Sequence, residues 1–325
     1  MNRRAFAVFG SGFGLYGYVP ALVGGCHVGV VLPAAYRETF DRRPELAPYR
    51  ASVDWAADDA AALDRAEGVV LARRPADNHT AALACLERPG IASLLLEKPI
   101  APDPAEADRL LDRLVRSGIA FRIGYLFRFT PWGRTLLDHK ALDPDGLLEI
   151  EWHFMAHHFR HDLDNWKRDP AAGGGPLRFY GIHLLALLAE MGYRTAVESR
   201  MSLLPGMPPA KAAYRWRATF TGPGLPTCRI DVNSAAPTAT FRVTQSGATG
   251  TASVRWVDLS DPFEGGVASR HAADDRRVPL LARHCDELLA NVGTASIHEV
   301  YGRTNSLWSE AERRLERDEG QEAGA

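Results

Sequence analysis

Leu94-Leu95-Leu96 runs without a break into Glu97-Lys98-Pro99. An apolar run this short, with no alternation, reads as a strand covered on both faces, the situation of strands in a parallel sheet flanked by helices. Pro99 has no N–H to give to a ladder, so the strand must end there. The charges begin at the strand's carboxyl end, the edge where open α/β sheets hold ligands. Lys98 is therefore expected on a stiff turn at a sheet edge, half out of water, where an ammonium can pass a proton. Alone, the pattern fits a strand exit with a solvated Glu–Lys pair better than a proton-transfer site; the flanking sequence has to decide.

Upstream, Ala5 to Phe9 is a short apolar strand followed by Gly10-Ser11-Gly12-Phe13-Gly14-Leu15-Tyr16-Gly17 and a helical stretch through Leu22. Arg3 and Arg4 ahead of that run have the outline of a signal peptide, but the run is too short and enters a glycine loop, so it reads as the first strand. Strand, glycine loop and helix form the context of a dinucleotide fingerprint, in which phosphate rests on backbone N–H groups at the helix start. Counting from Gly12 satisfies G-x-G-x-x-G fully. Counting from Gly10 is preferred because the first glycine should end the strand, and it puts Leu15 in the third glycine's place. Gly10, Ser11, Gly12, Phe13 and Gly14 are thus candidate cofactor contacts. The second strand, Val28 to Leu32, leads into Pro33-Ala34-Ala35-Tyr36-Arg37 with no acid to hold a ribose 2′-hydroxyl. Arg37 would pair instead with a 2′-phosphate, with Tyr36 along the adenine, so NADP is the expected cofactor and NAD the other candidate.

Further strands are expected at Val53–Trp55, Gly68–Ala72, Ile91–Leu96 and Ile119–Gly124. Helices are expected at Asp58–Ala66, His79–Leu86 and from the Asp103-Pro104-Ala105-Glu106 start to Gly118. This alternation indicates a doubly wound parallel sheet. The fourth strand runs into Arg73-Arg74-Pro75. Beyond residue 122 the pattern changes to strands separated by turns: Leu147–Met155, Glu198–Leu203, Ala213–Phe220, Thr227–Val232, Thr238–Thr244 and Thr251–Val257. Leu148, Ile150, Trp152 and Phe154 alternate onto one face. That is a second domain with a largely antiparallel sheet. Helices are expected again at Val278–Leu289 and Asn305–Leu315. The expected organisation is a Rossmann domain at 1–122, a substrate and oligomerisation domain at 123–316, and a flexible tail at 317–325.

A second group of residues lies at Asn165-Trp166-Lys167-Arg168-Asp169-Pro170 and Gly173-Gly174-Gly175-Pro176-Leu177-Arg178-Phe179-Tyr180-Gly181-Ile182-His183. The glycines and proline open a helix that Gly192 closes, with Leu177, Leu184, Leu188 and Met191 as its buried stripe. Phe179 and His183 are i, i+4 neighbours on another face. A histidine near a helix start, beside a loop that admits ligand, can serve as acid or base; a lone histidine bonded in the core is the competing reading.

Composition narrows the classes. A net charge of −2 over 325 residues argues against a general nucleic-acid or membrane binder. No apolar run approaches the roughly 20 residues that span a bilayer. Cys26, Cys85, Cys228 and Cys285 are far apart, which fits reduced thiols in a cytoplasmic protein and no metal site.

Taken together, the glycine loop, Glu97-Lys98-Pro99, Arg128-Phe129-Thr130-Pro131 and Trp166 through His183 resemble the Gfo/Idh/MocA oxidoreductases, in order and over almost the whole chain. The resemblance implies a Rossmann domain with a C-terminal open-faced sheet and a nicotinamide cofactor. It implies hydride transfer at a hydroxyl or keto carbon of a sugar, cyclitol or sugar nucleotide, and a homo-oligomer, dimer or tetramer, through the C-terminal sheet. Lys98 would match the family lysine and His183 the family histidine, and the Lys98–Pro99 bond would be cis. The expected catalytic residues are Lys98, His183 and Tyr180. Arg37, Arg74, Glu97 and Lys98 join the glycine loop on the cofactor, and Lys98, Tyr125, Lys167, Tyr180 and His183 meet the substrate. Arg73, Arg74 and Lys167 would hold an anionic substrate. The chain departs from the family at Phe179, where an aspartate is usual, at Ala186, and at Arg74-Pro75 in place of Thr-Pro. The departure at Phe179 favours one alternative, a dinucleotide-binding accessory protein with lapsed or altered catalysis; an imine reductase, which would use the same site, is the other.

Overall fold

The computed structural model of the chain describes residues 5–138, 142–247, 253–264 and 269–319. The chain divides into two compact units. One comprises Met1–Ala101, Arg109–Phe129 and Gly265–His298; the other comprises Pro102–Asp108, Thr130–Glu264 and Glu299–Ala325.

The first unit holds six strands: β1 (Ala5–Phe9), β2 (Gly29–Pro33), β3 (Val53–Ala56), β4 (Gly68–Leu71), β5 (Ser93–Leu96) and β6 (Ala120–Ile123). All pair in parallel in the order β3-β2-β1-β4-β5-β6. The order reverses between β1 and β4, so a crevice opens at the carboxyl ends of those strands. Leu94, Leu95 and Leu96 are fully buried, as are Val69, Val70 and Leu71 beside them. Burial on both faces is why these runs are unbroken and show no alternation. Asp58 accepts from the amide of Ala61 at 2.8 Å and starts the helix Asp59–Asp64. The helix expected from His79 begins earlier, at Pro75, which occupies its first turn after an extended Arg74. Proline at that position presets the backbone and lacks only an N–H that would be orphaned anyway.

An unbroken second domain at 123–316 is corrected. The helix Val278–Leu289 and the residues through Phe129 belong to the first unit. Val278, Leu281, Cys285 and Leu288 form an apolar stripe that needs cover. They find it against the helical turn Ala21–Gly25, where a Cβ on Gly25 would stand 2.4 Å from Ala282 Cβ and the Cys26 thiol donates to the Ala282 carbonyl at 3.4 Å.

The second unit is built on seven strands: β7 (Leu147–Met155), β8 (Thr195–Leu203), β9 (Ala213–Thr221), β10 (Thr227–Asn233), β11 (Ala235–Ser246), β12 (Ser253–Leu259) and β13 (Leu315–Glu319). Their order is β12-β11-β7-β10-β9-β8-β13, antiparallel except at β10–β7 and β13–β8. One face is apolar, with Leu148, Ile150, Trp216, Ile230, Val232 and Phe241 buried. The other carries Glu149, Glu151, Arg217, Arg229 and Asp231. The helix Ile182–Met191 is buried nearly all round, so the expected stripe is only part of its contact surface. The last helix runs Thr294–Arg313, eleven residues ahead of the expected Asn305 start. A flexible tail from Arg317 is also corrected: Arg317–Glu319 pair with Met201–Leu203, because an open sheet edge at β8 offers unpaired backbone groups. Residues 320–325 lie outside the described ones, as do 251 and 252 of an expected strand. Among the described residues no helix is long and apolar enough to cross a membrane.

Candidate functional site

In the first unit the site is assembled at the carboxyl ends of β1, β2, β4 and β5. Gly10 ends β1 with φ +141°, and a Cβ there would stand 2.2 Å from the Ala72 carbonyl oxygen, so only glycine can make this turn. The frame starting at Gly10 is the one the backbone follows. Leu15 is tolerated in the third position because Gly14 supplies the close helix–strand approach: its Cβ would meet Val8 and Ala72 at 3.4 Å. A Cβ at exposed Gly12 would meet nothing within 4 Å, which leaves open backbone at the start of the wide helical turn Gly14–Tyr18. An uncovered amide segment before a helix is what a diphosphate needs.

Past β2, the Tyr36 hydroxyl accepts from the Gly10 amide and from Arg73, both at 3.2 Å. Its hydroxyl is thus tied to the glycine loop, a contact the adenine reading does not include. Arg37 is exposed, its guanidinium 4.8 Å from the centre of the Trp55 ring. Arg73 lies over Phe9 and is ion-paired to Asp59. Burial works against its charge, but Asp59 and Tyr36 hold it above its ordinary range. Arg73 is therefore committed within the unit, which argues against a role in holding substrate. Arg74 is exposed beside it.

At the end of β5, Glu97 and Lys98 are half-buried, and the Lys98–Pro99 bond is cis. The Tyr18 hydroxyl donates to Glu97 Oε1 at 2.7 Å. Gly124 makes room for this pair: a Cβ there would be 2.6 Å from Glu97 Oε1. Burial pushes the Glu97 carboxyl up, against the opposing pull of Lys98, Tyr18 and Arg277. Tyr125, just past β6, is buried. Tyr18, Gly124 and Arg277 were not legible as site residues. Tyr18 sits one position beyond the glycine run, and nothing local marks Arg277.

In the second unit each of the three glycines has its own constraint. Gly173 and Gly175 take φ of +85° and +84°, and a Cβ at Gly174 would be 2.3 Å from the Trp166 carbonyl oxygen. Asn165 and Asp169 accept from the amides of Lys167 and Ala171 at 3.0 and 2.9 Å, fixing the turns between. Arg178 ties this loop down, donating to the Pro170 carbonyl at 2.6 Å and to the Glu312 carboxylate. A wide helical turn, Pro176–Gly181, then carries Phe179 and Tyr180, and the helix that follows it carries His183. Phe179 meets Trp166 edge-on at 5.3 Å and Tyr180 at 4.7 Å; Tyr180 meets Phe154 at 4.7 Å. Lys167 Nζ lies 5.3 Å above the Phe179 ring. His183 is 6% exposed, in the first turn of the helix, with Phe263 edge-on at 6.0 Å. The position where a carboxylate was expected by resemblance thus carries an aromatic ring under an ammonium.

Comparison of the whole chain with solved structures gives full-length matches. GenD2 from gentamicin A biosynthesis, solved with NAD, is 18% identical with a TM-score of 0.67, covering 96% of this chain and 95% of that one. KijD10, a 3-ketoreductase from Actinomadura kijaniata solved with NADP and TDP-benzene, is 13% identical with a TM-score of 0.68, covering 97% and 99%. A myo-inositol dehydrogenase from Corynebacterium glutamicum is 15% identical with a TM-score of 0.67, covering 96% of both chains. The chain has the Gfo/Idh/MocA fold. No family model matches the sequence, and no curated protein matches it either. Within the Gfo/Idh/MocA fold, the glycine loop, Arg37 and Glu97–Lys98 share one edge of the first unit's sheet. Lys167, Tyr180 and His183 belong to a single loop-and-helix segment of the second.

Proposed function

We propose that the protein is an NAD(P)-dependent oxidoreductase acting on a hydroxyl or keto carbon of a sugar, cyclitol or sugar nucleotide that carries an anionic group. The observation that carries this reading is the single sheet edge shared by the open glycine loop at β1, Arg37 after β2 and Lys98 after β5. The nicotinamide, when bound, supplies or accepts the hydride. The chain's own residues do the rest. Backbone amides around Gly12 hold diphosphate, and Arg37, over the Trp55 ring, offers its fork to a 2′-phosphate, which favours NADP over NAD. Lys98 gives a proton to, or takes one from, the reacting oxygen. Glu97, fixed by Tyr18, stands behind it. Tyr180 and His183 are assigned hydrogen bonds to the substrate, and Lys167 its anionic group.

A lapsed site is disfavoured by the packing of Phe179. A decayed aspartate position has no reason to be filled by a ring in contact with Trp166, Tyr180 and Lys167. Assembly as a homo-oligomer through the second unit's sheet is part of the proposal. It is supported by a charged trough of about 370 Å³ on the open face, lined by both signs, including Glu149, Glu151, Arg217 and Arg229. Fluorescence titration with NADPH and NADH tests the cofactor. Turnover of keto-sugar nucleotides, with Lys98→Ala as control, tests the chemistry, and unchanged turnover in that variant removes Lys98 from the mechanism.

A further inference from the structure

The glycine loop, Gly10 to Gly17, contains no basic residue, yet a guanidinium sits on it from some 260 positions away. The Arg277 guanidinium carbon lies 4.2 Å from the centre of the Phe13 ring and 6.0 Å from that of Tyr16. Its orientation is fixed by Asp275, which accepts from Nε and Nη2 at 2.8 Å each and from the Arg277 amide at 2.9 Å. Phe13 has no room on the Gly17 side, where a Cβ would stand 2.5 Å from its ring. The ring is therefore held between a helix backbone and a planar cation. Phe13 in turn meets Tyr18 edge-on at 5.7 Å, and Tyr18 donates to Glu97, the residue before Lys98. The charge of Arg277 also acts on Glu97 directly, favouring its ionised form. Asp275, Arg277, Phe13, Tyr18 and Glu97 all lie in the first unit.

We propose that Arg277 is a positioning residue that presets the glycine loop and the Glu97–Lys98 turn in register, acting through Phe13 and Glu97. Arg277 does not touch reacting atoms in this role. A loop arranged in advance need not be ordered when a dinucleotide arrives, so affinity is gained without a new contact. Lysine is a poor substitute, since a point charge lacks the fork that Asp275 grips and the plane that covers Phe13. The consequence for cofactor affinity rests on the dinucleotide reading above; the ordering of the loop does not.

The test has two arms. Amide hydrogen exchange on the protein without added nucleotide is followed over residues 10–18 and 94–100 in wild type and Arg277→Met. Both segments are expected to exchange about tenfold faster in the variant, the effect of losing a fixed contact on a local opening equilibrium. In the second arm, NADPH binding weakens by about tenfold in Arg277→Met, with partial recovery in Arg277→Lys. The acid limb of the kcat profile moves to higher pH as Glu97 loses a stabilising charge. Arg277→Lys and Asp275→Asn carry the same measurements should the methionine variant not fold. Unchanged exchange in both segments overturns the proposal, whatever the cofactor does. Wild type that binds neither NADPH nor NADH, with faster exchange in the variant, refutes the dinucleotide reading and leaves the positioning role standing.

Discussion

Phe179→Asp puts the family's usual carboxylate into this chain, and the surroundings of the ring say what it should do. The substitution removes edge contacts with Trp166 and Tyr180 and the ring under Lys167. Aromatic pairs contribute about 0.5–1.5 kcal/mol each and a cation over a ring about 0.5–2. A new carboxylate facing Lys167 at a half-buried site returns roughly 0–1 kcal/mol. The net expectation is a loss of about 0.5–5 kcal/mol, or some 1–20 °C in Tm by the scaling of about 2–4 °C per kcal/mol for a unit of this size. The effect on substrate is larger in kind. Lys167 now lies 5.3 Å from the position in question. For an anion that Lys167 holds at a comparable separation from that carboxylate, about 5 Å, the two like charges repel by roughly 0.8–3 kcal/mol at effective dielectrics of about 80 to 20. The KM for an anionic sugar should therefore rise roughly 4- to 200-fold, with a much smaller change for the neutral analogue. The assay compares kcat and KM for a uronate or sugar nucleotide against the uncharged sugar, with Tm by calorimetry. Undiminished turnover of the anionic substrate together with new activity on a neutral polyol would show that position 179 is a lapsed aspartate and that Lys167 does not hold the substrate's anion.

Three further outcomes are expected. Gly181→Ala places a Cβ 2.5 Å from Cζ3 of fully buried Trp216, an overpacking worth about 1–3 kcal/mol; Trp216→Leu should relieve part of it, so the double variant unfolds less readily than the sum of the singles in denaturant titration. Arg37→Ala should weaken NADPH binding roughly 10- to 100-fold while leaving NADH nearly unaffected, since only the former has a 2′-phosphate; equal effects on both would move the 2′-phosphate contact elsewhere. The protein should lose stability on acidification from near neutrality. Burial first, then Arg122 and Arg128, push His284 down to about 3, and burial with Arg168, Lys167 and His157 pushes His158 down to about 4. Both fold as neutral rings, so their contribution is complete above about pH 6.5 and is lost as pH falls from there towards those values, with up to roughly 3 kcal/mol at stake for His158. Asp231 and Asp275, held below the usual carboxylate range by Arg215 and Arg277 against the cost of burial, add a loss only at lower pH still. Among the described residues neither ring nitrogen of His284 has a hydrogen-bond partner. His284→Leu should therefore flatten the Tm–pH curve between pH 7 and 4.5, and an unchanged slope would exclude His284 as a source of acid lability.

The sequence by itself determined the local pieces. Leu94–Leu96 had to be a buried strand because nothing in it alternates, Pro99 had to end it, and the loop from Gly10 had to turn where no side chain fits. Glycine and proline rules also opened the helix before His183, where the motif's spacing could be read directly. Boundaries slipped where tertiary pairing extended an element, as at Arg317–Glu319, which become a strand only because the edge of β8 is open to them. Membership of the units was decided by packing: the stripe on Val278–Leu289 is visible in sequence, but the surface it covers, the turn at Ala21–Gly25, is not. The same holds for the site. Lys98 and Gly10 carry their own signals, whereas Tyr18 on Glu97, Arg277 on Phe13 and Lys167 on Phe179 are pairings of ordinary residues. Chain periodicity encodes what a residue must bury, not which distant side chain will be there to meet it. That choice is made by tertiary packing, as where the sheet order brings the ends of β1 and β5 to one edge.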